Sequence, residues 1–126
     1  MARDQMEIVV EAPPDEVWAK VGDFAGVGEI FAGIENLRIE GDDRVFEMFG
    51  LQLRERLVRR DDAERSITYS LVEGVPIEHH EATISVRPEG AGSRIVWAYD
   101  VEPDEMAPLF GDTYRSVLDS LPGHFA

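Results

Sequence analysis

The stretch Ala12-Pro13-Pro14-Asp15-Glu16-Val17-Trp18-Ala19-Lys20-Val21-Gly22-Asp23-Phe24 decides how this chain is read. A β-rich run, Met6 to Glu11, leads into it. Two prolines stop that strand, because neither can donate to a ladder. A short helix begins at once, with Asp15 and Glu16 in the first turn, where the helix dipole favours negative charge. Val17, Trp18 and Val21 give the helix one apolar edge, and Gly22-Asp23-Phe24 closes it.

Downstream, the residues alternate with the period of strands. Ala25 to Phe31 reads as a glycine-broken second short helix or turn. Ile34 to Glu40 carries a weak strand signal, Gly41-Asp42-Asp43 a turn, and Arg44 to Phe49 a strand that Gly50 breaks. Leu51 to Arg60 places Leu51, Leu53, Glu55 and Leu57 on one face and Gln52, Arg54 and Arg56 on the other, the pattern of a sheet with one wet side. Ser66 to Val72 puts Ile67, Tyr69 and Leu71 together. His80, Ala82, Ile84 and Val86 share a face, as do Ile95, Trp97, Tyr99 and Val101 after the turn Pro88 to Gly92. Short turns between such runs predict an antiparallel meander. Pro103 ends the sheet, and Met106, Leu109, Phe110, Val117, Leu118 and Leu121 follow helical spacing. Gly111 weakens that helix by about 1 kcal/mol relative to alanine.

The order is therefore strand, two short helices, about six strands and one long helix. It predicts one α+β domain over residues 1–126, with a curved antiparallel sheet of about six or seven strands wrapped around the carboxy-terminal helix. Space left between sheet and helix would form a cavity.

Composition narrows the function classes. The net charge is −14, from 26 acidic against 12 basic side chains. Such a surface repels phosphate backbones and anionic membranes, which argues against nucleic-acid binding. Without cysteine there is neither a disulfide nor thiolate chemistry. No run approaches the roughly 20 apolar residues that span a bilayer, so no membrane insertion is expected. Met1 to Gln5 lacks the pattern of a signal peptide, and a cytoplasmic location is the default expectation.

Ala12 to Phe24, Gly33-Ile34, Glu55-Arg56-Leu57, Ser66 to Ser70, Ala82 to Val86 and Gly92 to Trp97, in this order, resemble the START-like (SRPBCC, helix-grip) superfamily. The similarity is to its small polyketide cyclase/dehydrase-like members. It spans the chain at the level of element order. It implies a fold built around a ligand cavity, and so binding of a small hydrophobic or amphipathic ligand, lipid- or polyketide-like. Many members carry a Trp-His or Trp-x-Pro element after the short helices; here Ile30, Phe31 and Ala32 stand in that place.

The residues that carry chemistry are the polar groups on inward faces. Glu55 shares a face with three leucines; desolvation there would raise its pKa and suit it to general acid or base work. Arg44, in phase with Phe46 and Met48, is placed to bind a ligand carbonyl or carboxylate or to pair with Glu55. His80 heads an apolar strand face and titrates near neutrality, which makes it the second catalytic candidate beside Glu55. His79 and His80 point to opposite faces, so they do not chelate one ion, and neither metal nor cofactor is called for. Tyr69, Trp97 and Tyr99 lie on inward faces, and Phe31, Phe110 and Tyr114 complete the expected ligand-binding set with Arg44, Phe46, Met48, Glu55 and His80. Three functions follow: a binder of small hydrophobic molecules; a cyclase or dehydratase using cavity Glu, His and Tyr groups; and a protein-interaction module whose acidic surface would steer a basic partner.

Overall fold

The computed structural model describes residues 2–31 and 33–125. Seven antiparallel strands form a curved sheet: β1 (Ala2–Val10), β2 (Glu35–Glu40), β3 (Asp43–Met48), β4 (Leu51–Asp61), β5 (Ser66–Glu73), β6 (His79–Glu89) and β7 (Gly92–Glu102). Their spatial order is β1-β7-β6-β5-β4-β3-β2. Strands β2 to β7 thus make an unbroken meander, and β1 closes the sheet by pairing with the last strand, Ala2 opposite Val101 and Val10 opposite Ser93. Helix α1 (Pro14–Val21) follows β1, and helix α2 (Ala107–Ser120) follows β7. Single 3-10 turns stand at Val27–Glu29, Asp104–Met106 and Leu121–His124.

The opening stretch folds as its chemistry dictates. Pro13 is the N-cap of α1 and Pro14 its first residue, where a missing N–H costs nothing. Val17, Trp18 and Val21 are buried. The Trp18 indole donates to Asp62 at 3.0 Å, which ties α1 to the β4–β5 turn. The faces expected of β6 and β7 are the faces observed: His80, Ala82, Ile84 and Val86 are buried, as are Ile95, Trp97, Tyr99 and Val101. Apart from His80, they join Val17, Val21, Leu118 and Leu121 in one apolar cluster, each large side chain contributing roughly 1.5–3 kcal/mol relative to exposure.

Several boundaries differ from expectation: β3 begins at Asp43 and β6 runs on to Glu89, so the turns there are shorter, and four others follow. Strand β1 begins at Ala2, not Met6, because partners along β7 hold its polar first half in register. The second helix is reduced to the 3-10 turn at Val27–Glu29. Phe49 lies outside β3: Met48 and Leu51 pair, leaving Phe49 and Gly50 as a two-residue turn with φ of 56° and 75°. Both positive values are what a tight hairpin matching the strand twist requires. Helix α2 begins at Ala107, with Pro108 tolerated in its first turn.

Helix α2 packs most closely on β1 and β7. Gly111 permits this: a Cβ there would stand 2.9 Å from the Tyr99 hydroxyl. The propensity lost in the helix is the condition for its seat on the sheet. Among the described residues no helix is long and apolar enough to cross a membrane.

Candidate ligand cavity

Seated on β1 and β7, α2 leaves space over β3, β4 and β5. That space is a cavity of about 200 Å³. Phe46 and Met48 of β3, Leu51 and Leu53 of β4, Leu71 of β5 and Trp97 of β7 form its floor. Leu109, Phe110, Thr113, Tyr114 and Val117 of α2 roof it, and Phe31, Ile34 and Val75 close its sides. Phe49 lines it while 73% exposed, and Leu51 and Leu109 line it while 44% and 47% exposed, so these three mark the mouth. The walls are apolar except at four side chains: Arg44, Glu55, Tyr69 and Tyr114, with the Thr113 hydroxyl turned back onto the helix carbonyl of Leu109.

Arg44 and Glu55 stand directly opposite each other on β3 and β4. Arg44 donates from Nε and from Nη2 to Glu55 Oε1, both at 2.8 Å, and from Nη1 to the Phe24 carbonyl at 3.2 Å. Its guanidinium lies over the rings of Phe24 and Tyr69, 4.3 and 4.8 Å from their centroids. Both residues are buried, at 3% and 8% exposure. A buried charge is tolerated only when paired and hydrogen-bonded, and each of these two satisfies the other. The pair brings no net charge to the cavity.

A second polar chain runs behind the aromatic wall. The Leu71 backbone N–H donates to His80 Nδ1 at 2.9 Å. Neutral His80 therefore carries its proton on Nε2, which faces the Tyr114 hydroxyl at 2.8 Å and donates to it. Burial, with a smaller push from the His79 charge, lowers the His80 pKa to about 4, so the ring is neutral at ordinary pH. The Tyr69 and Tyr114 groups also act on each other electrostatically. The Trp97 indole donates to the Tyr69 hydroxyl at 3.1 Å. Burial, reinforced by the nearby Glu55 charge, pushes the pKa of Tyr69 upward. Burial likewise raises that of Tyr114, so both phenols keep their protons. The rings are locked by stacking: Trp97 on Tyr114 at 4.1 Å, Phe31 on Trp97 at 5.4 Å and His80 on Phe110 at 4.8 Å between centroids.

Of the side chains expected to meet a ligand, Phe31, Arg44, Phe46, Met48, Glu55, Tyr69, Trp97, Phe110 and Tyr114 line the cavity. Two do not. His80 faces inward, but the Tyr114 side chain of α2 stands between it and the space, and both its ring nitrogens are committed. Tyr99 shares a face with Trp97 but lies under the seat of α2, donating to the Ala107 carbonyl at 3.1 Å and lining a shallow surface groove with Asp4 and Arg115. His79 points to the opposite face, 3.9 Å from Asp100. Ala32 lies outside the described residues. The expectation missed Phe49 and Leu51 at the mouth. Alternation had put Leu51 in phase with Glu55; Phe49 carried no signal, since its direction depends on the turn.

The profile of one protein family, described as "Polyketide cyclase / dehydrase and lipid transport", matches residues 1–125. No curated protein sequence matches the chain. Among solved structures it is similar to the protein XoxI from Bacillus cereus, at 25% identity and a TM-score of 0.92, covering 99% of this chain and 96% of that one. It is also similar to a START superfamily protein from Mycobacterium smegmatis, at 18% identity and a TM-score of 0.82, covering 98% and 96%. The Zhui aromatase/cyclase from Streptomyces sp. R1128 superposes with a TM-score of 0.80 at 20% identity, covering 98% and 92%. The last two likenesses are of fold. Seven strands gripping a carboxy-terminal helix, and a family profile spanning all but the final residue, lead to one statement: the chain belongs to the polyketide cyclase / dehydrase and lipid transport family.

Proposed function

We propose that this protein binds a small hydrophobic molecule in the cavity between α2 and strands β3 to β5. One observation carries the reading: an apolar space of about 200 Å³ in a chain of 126 residues. Native interiors are packed with few voids larger than a water molecule. A void of this size forfeits packing worth on the order of a few kcal/mol, a large part of the 5–15 kcal/mol by which domains are stable. Such a loss is tolerated where the space is used, and an apolar pocket with a few convergent polar groups is the usual form of a small-molecule site.

The polar groups support binding over proton transfer. A general acid or base needs a pKa near the working pH and a free position beside the substrate. Glu55 is engaged by Arg44, and His80 is neutral and screened by Tyr114. The family description names both cyclisation and lipid transport, and the polar groups fit the carriage of a ligand and not its cyclisation.

The test is calorimetric titration with α-tetralone, a neutral bicyclic ketone, of the wild type and of Val117→Phe. Val117 is buried in the roof of the cavity. Saturable binding by the wild type, weakened at least tenfold in a folded Val117→Phe protein, is the expected result. Equal binding by both would place the ligand elsewhere.

A further inference from the structure

The proton count of the polar groups from His80 to Trp97 does not close among the described residues. Four donors enter it: His80 Nε2–H, Trp97 Nε1–H and the two hydroxyls of Tyr69 and Tyr114. Neither end accepts. An indole nitrogen is a donor only, and His80 Nδ1 is already filled by the Leu71 N–H. The histidine proton goes to Tyr114 and the indole proton to Tyr69. Both phenol oxygens thus accept, and even were one phenol to donate to the other, the second would keep a proton with no acceptor among these groups. Glu55 Oε1 is taken by two bonds from Arg44, and among the described residues no hydrogen bond joins either Glu55 oxygen to Tyr69 or Tyr114. Tyr69 and Tyr114 are 2% and 6% exposed, and both line the cavity. A buried donor without an acceptor costs about 1–3 kcal/mol.

We propose that the Tyr69–Tyr114 hydroxyl pair is the polar recognition element of this cavity, and that it takes the acceptor oxygen of a small neutral molecule, a ketone or similar carbonyl. This rests on the ligand-binding reading above and sharpens it. The acceptor is neutral because the one cation among the described lining residues is already neutralised: a carboxylate would meet Glu55 with Arg44 spent. It is a carbonyl because a hydroxyl would bring a further proton in need of an acceptor. The body of the ligand is one or two rings. An enclosed apolar cavity of about 150 Å³ holds benzene, so about 200 Å³ admits a second ring and not a long acyl chain. The stacked faces of Trp97 and Tyr114 suit a flat molecule.

Three probes of matched shape test this by calorimetry: α-tetralone, tetralin, which lacks the oxygen, and naphthoate, which is anionic. For the wild type, α-tetralone should bind about threefold to tenfold tighter than tetralin, as one neutral hydrogen bond gives, and naphthoate most weakly. In the Tyr69→Phe/Tyr114→Phe protein the ratio of ketone to hydrocarbon should fall towards one, with tetralin still bound. Equal binding of ketone and hydrocarbon by the wild type overturns the inference alone. A preference kept in the double variant assigns the contact to a donor other than the two hydroxyls and overturns it too, as does naphthoate binding tightest. Absence of binding by all three overturns the ligand-binding reading itself. Should the double variant not fold, the infrared carbonyl band of α-tetralone bound to the wild type decides: lower in frequency than in hexane supports the hydroxyl contact, unshifted overturns it.

Discussion

His80 shows how depth changes the meaning of a residue. Alternation along β6 correctly turns it inward, but only the position of α2 reveals that Tyr114 covers it. Its pKa is about 4 in the fold against 6.5 for an ordinary histidine. Between those values the unfolded chain binds the extra proton, so folding stability falls as pH falls from 6.5 to about 4 and is whole above 6.5. The full effect is on the order of 3 kcal/mol. Urea unfolding of wild type and His80→Gln across this range should show the wild type losing its advantage as acid is added. A constant difference would mean that His80 titrates alike in both states.

Arg44 and Glu55 make the opposite case, since their parities placed them on one face and the β3–β4 register sets them opposite each other. Removing one partner strands a buried charge. Arg44→Met or Glu55→Leu alone should each cost about 3–5 kcal/mol, and the double variant clearly less than the two together. A urea-denaturation cycle measures the coupling; additive losses would show that the pair is not coupled.

At the scale of elements, the strands were legible wherever one face is wet and the other dry. Strands β4 to β7 announce themselves by period two. The first half of β1 does not, since Arg3, Asp4 and Gln5 have no apolar phase and are held by β7. The β3–β4 turn was hidden for another reason: Phe49 is aromatic and reads as strand, yet it adopts a φ of 56° that bulky residues avoid. It is kept at the mouth of the cavity at a conformational cost of order 1–3 kcal/mol. Phe49→Asn, which creates the Asn-Gly pair favoured in such turns, should therefore raise stability by about 1 kcal/mol. The same change should weaken α-tetralone binding severalfold. Thermal unfolding and titration of one variant read both effects, and a variant no more stable than the wild type would show the turn to be unstrained.

At the scale of the whole molecule, the element order contained the fold, because a meander followed by one amphipathic helix has few ways to bury both apolar faces. Its cavity was legible only as a consequence of that fold. The volume, the mouth and the hydroxyl pair depend on where α2 stands, and that is set by the contact of Gly111 with Tyr99, residues twelve apart with no shared periodicity. The two tryptophans of the chain provide a direct probe of what the cavity does. Trp97 lines it and donates to Tyr69, whereas Trp18 lies on α1 and donates to Asp62 outside it. Titrating α-tetralone into the ¹⁵N-labelled protein and following the two indole N–H signals by NMR tests the central claim. Ligand binding in the cavity expects the Trp97 signal to move saturably while the Trp18 signal stays. Two signals that both stay, or that move together, would contradict it.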